Sequence, residues 1–175
     1  MKGTMRATLI TALAVAIFFV GKYLWFKPKF VVGGHPPEIE FVMSDGHEFK
    51  LSDLEGKLTL VDFWGSWCGP CRKENPGLVK LYNEFHEASF KNAEGFEIVS
   101  IGLESNESRW LRAIQKDRLN WRWHYTDLKQ MDSPIAKTWG VREIPTKYLL
   151  NEKGLILAVN PTIEELQSIL SDRKL

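Results

Sequence analysis

Leu58-Thr59-Leu60-Val61-Asp62-Phe63-Trp64-Gly65-Ser66-Trp67-Cys68-Gly69-Pro70-Cys71-Arg72-Lys73-Glu74-Asn75-Pro76 is the stretch that decides the fold. Its first seven residues are apolar except for Thr59 and Asp62, the pattern of a buried strand. From about Pro70 to Ala88 the pattern turns helical, with Pro76 as an internal kink. Cys68 and Cys71 sit where the strand gives way to the helix. They are the only 2 cysteines of the chain, and a framework of structural disulfides would use more, at wider spacing. The pair reads instead as a local chemical device. A thiolate at a helix N-terminus faces unpaired N–H groups and the positive end of the helix dipole. That lowers its pKa from about 8.5 toward 7 or below. Cys68, at the turn, is expected to be exposed and to attack a disulfide. Cys71, one helical turn later, is expected to be more buried and to resolve the mixed disulfide.

Two inert uses of the pair compete with this reading. Structural zinc takes four ligands, and His35, His47, His86 and His124 are scattered without paired spacing, so no metal is expected. A buried, unreactive pair is the other. The Gly69-Pro70 between the cysteines and Trp67 before them weigh against both.

Outward from the motif, the chain alternates between the two periods. Glu38–Val42 and Glu48–Leu51 are short extended runs around Ser44-Asp45-Gly46, a hairpin. Phe96–Leu103 is a second apolar strand, and Glu107–Asp117 a helix with Trp110, Leu111 and Ile114 on one face. Trp121, Trp123 and Tyr125 alternate with Arg122 and His124, which predicts a strand with the aromatics toward the core and His124 exposed. Ser133-Pro134 starts a helix that ends near Gly140. Thr146–Leu150 and Leu155–Val159 flank a turn at 151–154, and Thr162-Ile163-Glu164-Glu165 is a capping box that opens a C-terminal helix. The order hairpin, β, α, β, α, β, α, β, β, α predicts an α/β fold with a mixed sheet flanked by helices. With 44% hydrophobic and 12% aromatic residues, there is enough apolar surface for one packed core.

The N-terminus differs from the rest. Ala7–Phe26 is a 20-residue apolar stretch interrupted only by Lys22, which matches a hydrocarbon core about 30 Å thick. Tyr23 and Trp25 suit an interfacial belt. A cleaved signal peptide would need a small-x-small site after the run, but Ala12, Ala14 and Ala16 lie inside it and Phe18–Lys22 follows. A core helix would leave the basic flanks unexplained. The expected organisation is an anchor over residues 1–29, a linker over 30–37 containing Gly33-Gly34 and Pro36-Pro37, and a folded domain over 38–175. Residues 1–29 hold five of the 23 basic residues and no acid, so the remainder has 18 against 22 acidic residues, a net charge of −4. That domain has no basic footprint for nucleic acid.

The run from Val61 to Pro76 resembles the thioredoxin superfamily. More narrowly, it resembles the membrane-anchored TlpA/ResA-type disulfide reductases of the bacterial envelope. The N-terminal anchor, the hairpin followed by Leu51-Ser52-Asp53-Leu54-Glu55-Gly56-Lys57, and Cys71-Arg72-Lys73-Glu74-x-Pro76 carry the narrower likeness. The resemblance covers about residues 36–171 and implies a thioredoxin fold with an N-terminal hairpin. It implies catalysis by Cys68 and Cys71 through a redox-active disulfide, with no other cofactor. It makes Ile144-Pro145-Thr146 the cis-proline loop beside the cysteines, so that Trp67, Gly69, Pro70, Ile144, Pro145 and Thr146 face substrate. In thioredoxins an acid at the position of Asp62 handles the proton of the buried cysteine, whereas TlpA/ResA-type proteins carry a functional glutamate at the position of Glu74. This chain has both, and either one fits the role.

The partners implied are disulfide-containing envelope proteins, among them apocytochrome c, and a membrane electron donor of the DsbD/CcdA kind. The location implied is the periplasmic side of a bacterial inner membrane. A thiol oxidant, a peroxiredoxin-like peroxidase and a copper-chaperone-like binder are the alternatives. Related peroxidases place a threonine where this chain has Gly65. Copper chaperones of that type space their cysteines more widely and add a histidine.

Overall fold

A computed structural model describes residues 2–26, 29–43 and 46–175, with side chains of the first helix from Ile10 to Trp25. The elements are α1 (Lys2–Phe26), β1 (Glu40–Val42), β2 (Glu48–Lys50), β3 (Leu58–Trp64), α2 (Gly69–Phe85), β4 (Phe96–Gly102), α3 (Glu107–Asp117), β5 (Trp123–Tyr125), α4 (Pro134–Thr138), β6 (Thr146–Leu150), β7 (Ile156–Val159) and α5 (Ile163–Arg173). After α1 this is the order expected from the sequence.

β1 and β2 form the hairpin, although Ser44 and Asp45 of its turn lie outside the described residues. The other strands form one sheet in the order β5-β4-β3-β6-β7. β3, β4 and β5 run parallel, while β6 and β7 are antiparallel to their neighbours.

β3 lies at the centre, and all seven of its residues are buried. Successive side chains point to opposite faces, and both faces are covered. Leu58, Leu60 and Trp64 pack with Phe96, Ile98 and Leu149 under α2 and α5. Val61 and Phe63 pack with Val99, Ile101, Tyr148 and Trp139 on the other side, where the hairpin adds Phe41 and Phe49. This is the mixed, two-sided sheet that the resemblance implies. The expected caps form as well: Ser133 accepts from Ala136 N, and Thr162 and Glu165 make a reciprocal capping box.

Three expectations need correction. Trp121, Trp123 and Tyr125 do not share a face. Trp121 precedes β5 and is buried under α2, whereas Trp123 stacks near Phe49 and Tyr125 on Phe41 across the sheet. His124 is not exposed; it stacks on Trp121, and burial pushes its pKa down to about 4. Leu111 is exposed, and Ala113 instead joins Trp110 in the core.

Residues 29–34 are bound to the domain. Lys29 Nζ donates to Thr138 O, Phe30 meets Trp139 edge-on, and Gly33 and Gly34 exchange backbone hydrogen bonds with Ile156. α1 ends beside the same surface, where Arg142 lies over the Trp25 ring and donates to its carbonyl. Among the described residues, no helix is long and apolar enough to cross a membrane. The side chains of Lys2, Arg6 and Lys27, the basic flanks of the apolar run, lie outside those residues.

Gly95, just before β4, has φ +94°, and a Cβ there would lie 2.4 Å from the His86 carbonyl oxygen. That carbonyl also accepts from Phe96 N, so it is not free to move. Gly95→Ala is expected to lower stability by more than about 2 kcal/mol, since left-handed strain and a backbone clash add. Denaturant unfolding checks this, and an alanine variant as stable as the parent would contradict it.

Candidate active site

β3 ends at Trp64 and α2 begins at Gly69, so four residues make the turn. Cys68 is the N-cap of α2, and its Sγ accepts from Cys71 N at 3.2 Å. This is the backbone donor that would hold a thiolate once the pair is reduced. Cys68 and Cys71 are joined in a disulfide.

Both cysteines are buried, with Cys68 5% and Cys71 2% exposed. The expectation of an exposed Cys68 is therefore corrected. Its Sγ faces Cys71 on one side and lies 3.8 Å from the Ile144 carbonyl oxygen on another. The Ile144–Pro145 bond is cis, and the loop sits against the cysteines as the resemblance implies. Trp67, Gly69 and Pro70 are exposed and Ile144 and Pro145 half-buried, which makes a rim around the disulfide. Nothing lies within 4 Å of where a Gly69 Cβ would be, so that side is open. Thr146 is turned inward: it is buried, and its hydroxyl donates to Glu143 O.

The turn is braced from behind. Trp67 Nε1 donates to Leu103 O at 2.8 Å, and the indole passes so close to Gly65 that a Cβ there would sit 2.8 Å from Nε1. Ser66 N donates to the carboxylate of Glu104, which is fully buried; Arg109 stands 3.8 Å from the other oxygen. Arg72 binds Asp117 with both Nε and Nη2 and Ser66 O with Nη1. Asn75 donates to the same Asp117. α2 and α3 are thus clamped together directly behind the cysteines.

Asp62 and Glu74 also come together. Asp62 is 3% exposed, which rules out a surface position, and burial is the main cause that pushes its pKa up to about 7, with Glu74 adding to the rise and Lys147 opposing it. Lys147 is the residue that sequence reasoning missed. It lies on β6 directly opposite Asp62, is itself 3% exposed, and its Nζ donates to Glu74 Oε2 at 2.5 Å. The available signal was the same as for Asp62: one charge in an otherwise buried strand, two positions after Pro145. Glu104 was missed too, because a lone acid after a strand reads as a loop residue.

Against known proteins, the AhpC/TSA family model matches residues 32–159. The thiol-disulfide oxidoreductase ResA of Halalkalibacterium halodurans is 28% identical over 158 residues, covering 89% of this chain and 84% of that protein. The protein of the same name from Bacillus subtilis is 27% identical, covering 86% and 78%. Among solved structures, the thioredoxin domain of a thiol-disulfide oxidoreductase from Bacteroides vulgatus superposes with TM-score 0.71 at 28% identity, covering 82% of this chain and 98% of that one. With a Cys-x-x-Cys disulfide at the head of α2 and a cis-proline loop beside it, the chain is a thiol-disulfide oxidoreductase of thioredoxin fold and belongs to the AhpC/TSA family.

Proposed function

We propose that the protein works as a disulfide reductase on proteins outside the cytoplasmic membrane, with the Cys68–Cys71 pair as its only redox group. The observation that carries the reading is the pair itself: a Gly-Pro insert at a helix N-terminus, next to the Ile144 carbonyl and the cis-Pro145. In the forward reaction the Cys68 thiolate attacks one sulfur of a substrate disulfide. That S–S bond breaks, one substrate thiolate leaves, and a mixed disulfide forms. Cys71 gives its proton to Asp62, and the Cys71 thiolate attacks Cys68 Sγ, releasing the second substrate thiolate. Two electrons pass to the substrate, which takes up two protons, and Cys68–Cys71 is left oxidised. Trp67, Gly69, Pro70, Ile144 and Pro145 form the surface on which the substrate chain rests.

The direction follows from the insert. Gly-Pro matches thioredoxin, near −270 mV, rather than the strong oxidants near −120 mV. The peroxidase alternative loses ground at Gly65, where the packed Trp67 indole leaves no room for a side chain. Residues 1–29 serve as the membrane anchor with the domain on the periplasmic side. A membrane protein of the DsbD/CcdA kind supplies electrons, and apocytochrome c is among the substrates. These last points rest on the likeness to the ResA proteins.

The test is the equilibrium potential of Cys68–Cys71 in the full chain, set against glutathione or dithiothreitol buffers. The expected value lies well below about −200 mV. A value near that of the strong oxidants would reverse the proposed direction.

A further inference from the structure

A row of polar groups crosses the sheet under α2. In register, His124 of β5 stands beside Ser100 of β4, Ser100 beside Asp62 of β3, and Asp62 beside Lys147 of β6. Neighbours in register project to the same face, so all four point toward the helix that carries the cysteines. Only the last two oppose each other as acid and base. Lys147 is pinned on three sides. Its ammonium pairs with Glu74, its N–H donates to Asn160 Oδ1, and its carbonyl accepts from Asn160 N.

A buried ammonium needs a negative partner, and two acids compete for this one. Glu74 holds it in the observed, oxidised state. Asp62 feels it across the strand pair, where it works against the burial that keeps Asp62 protonated.

We propose that Lys147 is a positioning residue of the redox site, tethered by Glu74, whose ammonium governs how readily Asp62 accepts the proton that Cys71 gives up. This rests on the reductase reading of the pair. It divides the labour between the two acids: Asp62 is the acceptor, and Glu74 is the tether that decides how much of the Lys147 charge Asp62 receives. The other groups on this face do not compete for the ammonium. β4 offers the neutral Ser100, whose Oγ accepts from Trp121 Nε1. β5 offers His124, held neutral between Trp121 and Trp110. Just past β7, Asn160 offers its amide, and α5 packs through Leu166 and Leu170.

The two substitutions therefore act with opposite sign. In Lys147→Met, Asp62 loses the facing cation, so it holds its proton to higher pH. In Glu74→Gln, the ammonium is left with Asp62 alone, so Asp62 ionises at lower pH.

The experiment has two arms on the full chain. The first follows the Asp62 carboxyl carbon by NMR across pH in the oxidised protein, a readout that needs no catalysis. Its midpoint is expected to rise by about one unit in Lys147→Met and to fall by about one unit in Glu74→Gln. Lys147→Arg, which keeps the charge, is expected to stay near the parent. The second arm measures insulin reduction against pH, where the rising limb should move with the same signs; at pH 7 the methionine variant should be about five- to tenfold slower. Unmoved midpoints, or both variants shifting the same way, would overturn the assignment and reduce Lys147 to a structural ion pair. If Lys147→Met does not fold, Glu74→Gln and Lys147→Arg still decide by their signs. Should the parent fail to reduce insulin while the midpoints move as stated, the coupling stands and the reductase reading falls.

Discussion

Cys71→Ser is expected to leave a protein that attacks once and stays attached, accumulating as a covalent adduct with its substrate, whereas Cys68→Ser is expected to reduce nothing above the rate of a free thiol. The asymmetry comes from the geometry. Cys68 is the N-cap, where Cys71 N–H already points at its sulfur, and the open side over Gly69 gives a substrate an approach. Cys71 is 2% exposed inside the first turn of α2, so the partner sulfur within its reach is that of Cys68. Removing the attacker removes the first bond-forming step; removing the resolver removes only the second. Non-reducing gels of the two variants mixed with insulin, or with an envelope extract of the host, provide the measurement. Adducts from Cys68→Ser and none from Cys71→Ser would invert the roles.

The second large effect is on stability. Asp62→Asn is expected to stabilise the folded protein by about 4 kcal/mol at pH 8 and by almost nothing at pH 4. The sign follows from which state holds the proton. Burial pushes the Asp62 pKa up to about 7 in the folded protein, against about 3.9 for a free aspartate side chain. Between those values the folded state carries more protons than the unfolded one, so the favourable contribution, complete below about pH 4, is lost as pH rises toward 7. Above that, the buried carboxylate is ionised in both states and the full cost of about 4 kcal/mol is present. Asparagine has nearly the same shape and never ionises, so it escapes that cost. Urea unfolding at both pH values checks the result, and a parent-to-variant difference that does not change with pH would contradict it. The same variant should reduce insulin more slowly, because Cys71 then lacks its acceptor. More stability with less activity is the expected mark of a functional group whose burial costs stability.

Much of this was legible from local pattern. β3 reads from its apolar run and α2 from its period. The N-caps Ser133 and Thr162 act within three residues of themselves, so sequence alone can place them. The redox pair was legible for the same reason. What was not legible depends on neighbours distant in sequence. Lys147 looks like an edge-strand lysine until β6 is placed against β3, and Asp62 and Glu74 look like rivals until that lysine joins them. The burial of Cys68 is invisible to local pattern because the loop that covers it arrives 76 residues later. Period-two alternation puts Trp121 on the face of Trp123 only where the strand has already begun. β5 starts only at Trp123, so Trp121, two residues earlier, escapes its alternation.

The contacts of residues 29–34 bear on how the protein meets its partners. Only residues 27 and 28 separate the end of α1 from Lys29, which already touches the domain, and Arg142 reaches back to Trp25. If α1 stands in a bilayer as proposed, the domain is mounted on a post, with little slack to act as a leash. Its disulfide then travels at a nearly constant height above the lipid and explores area by lateral diffusion. Partners are chosen partly by altitude: a membrane donor or a substrate has to bring its own sulfurs to that level, and inserting a flexible spacer after Phe26 would widen the range of heights served while diluting each one.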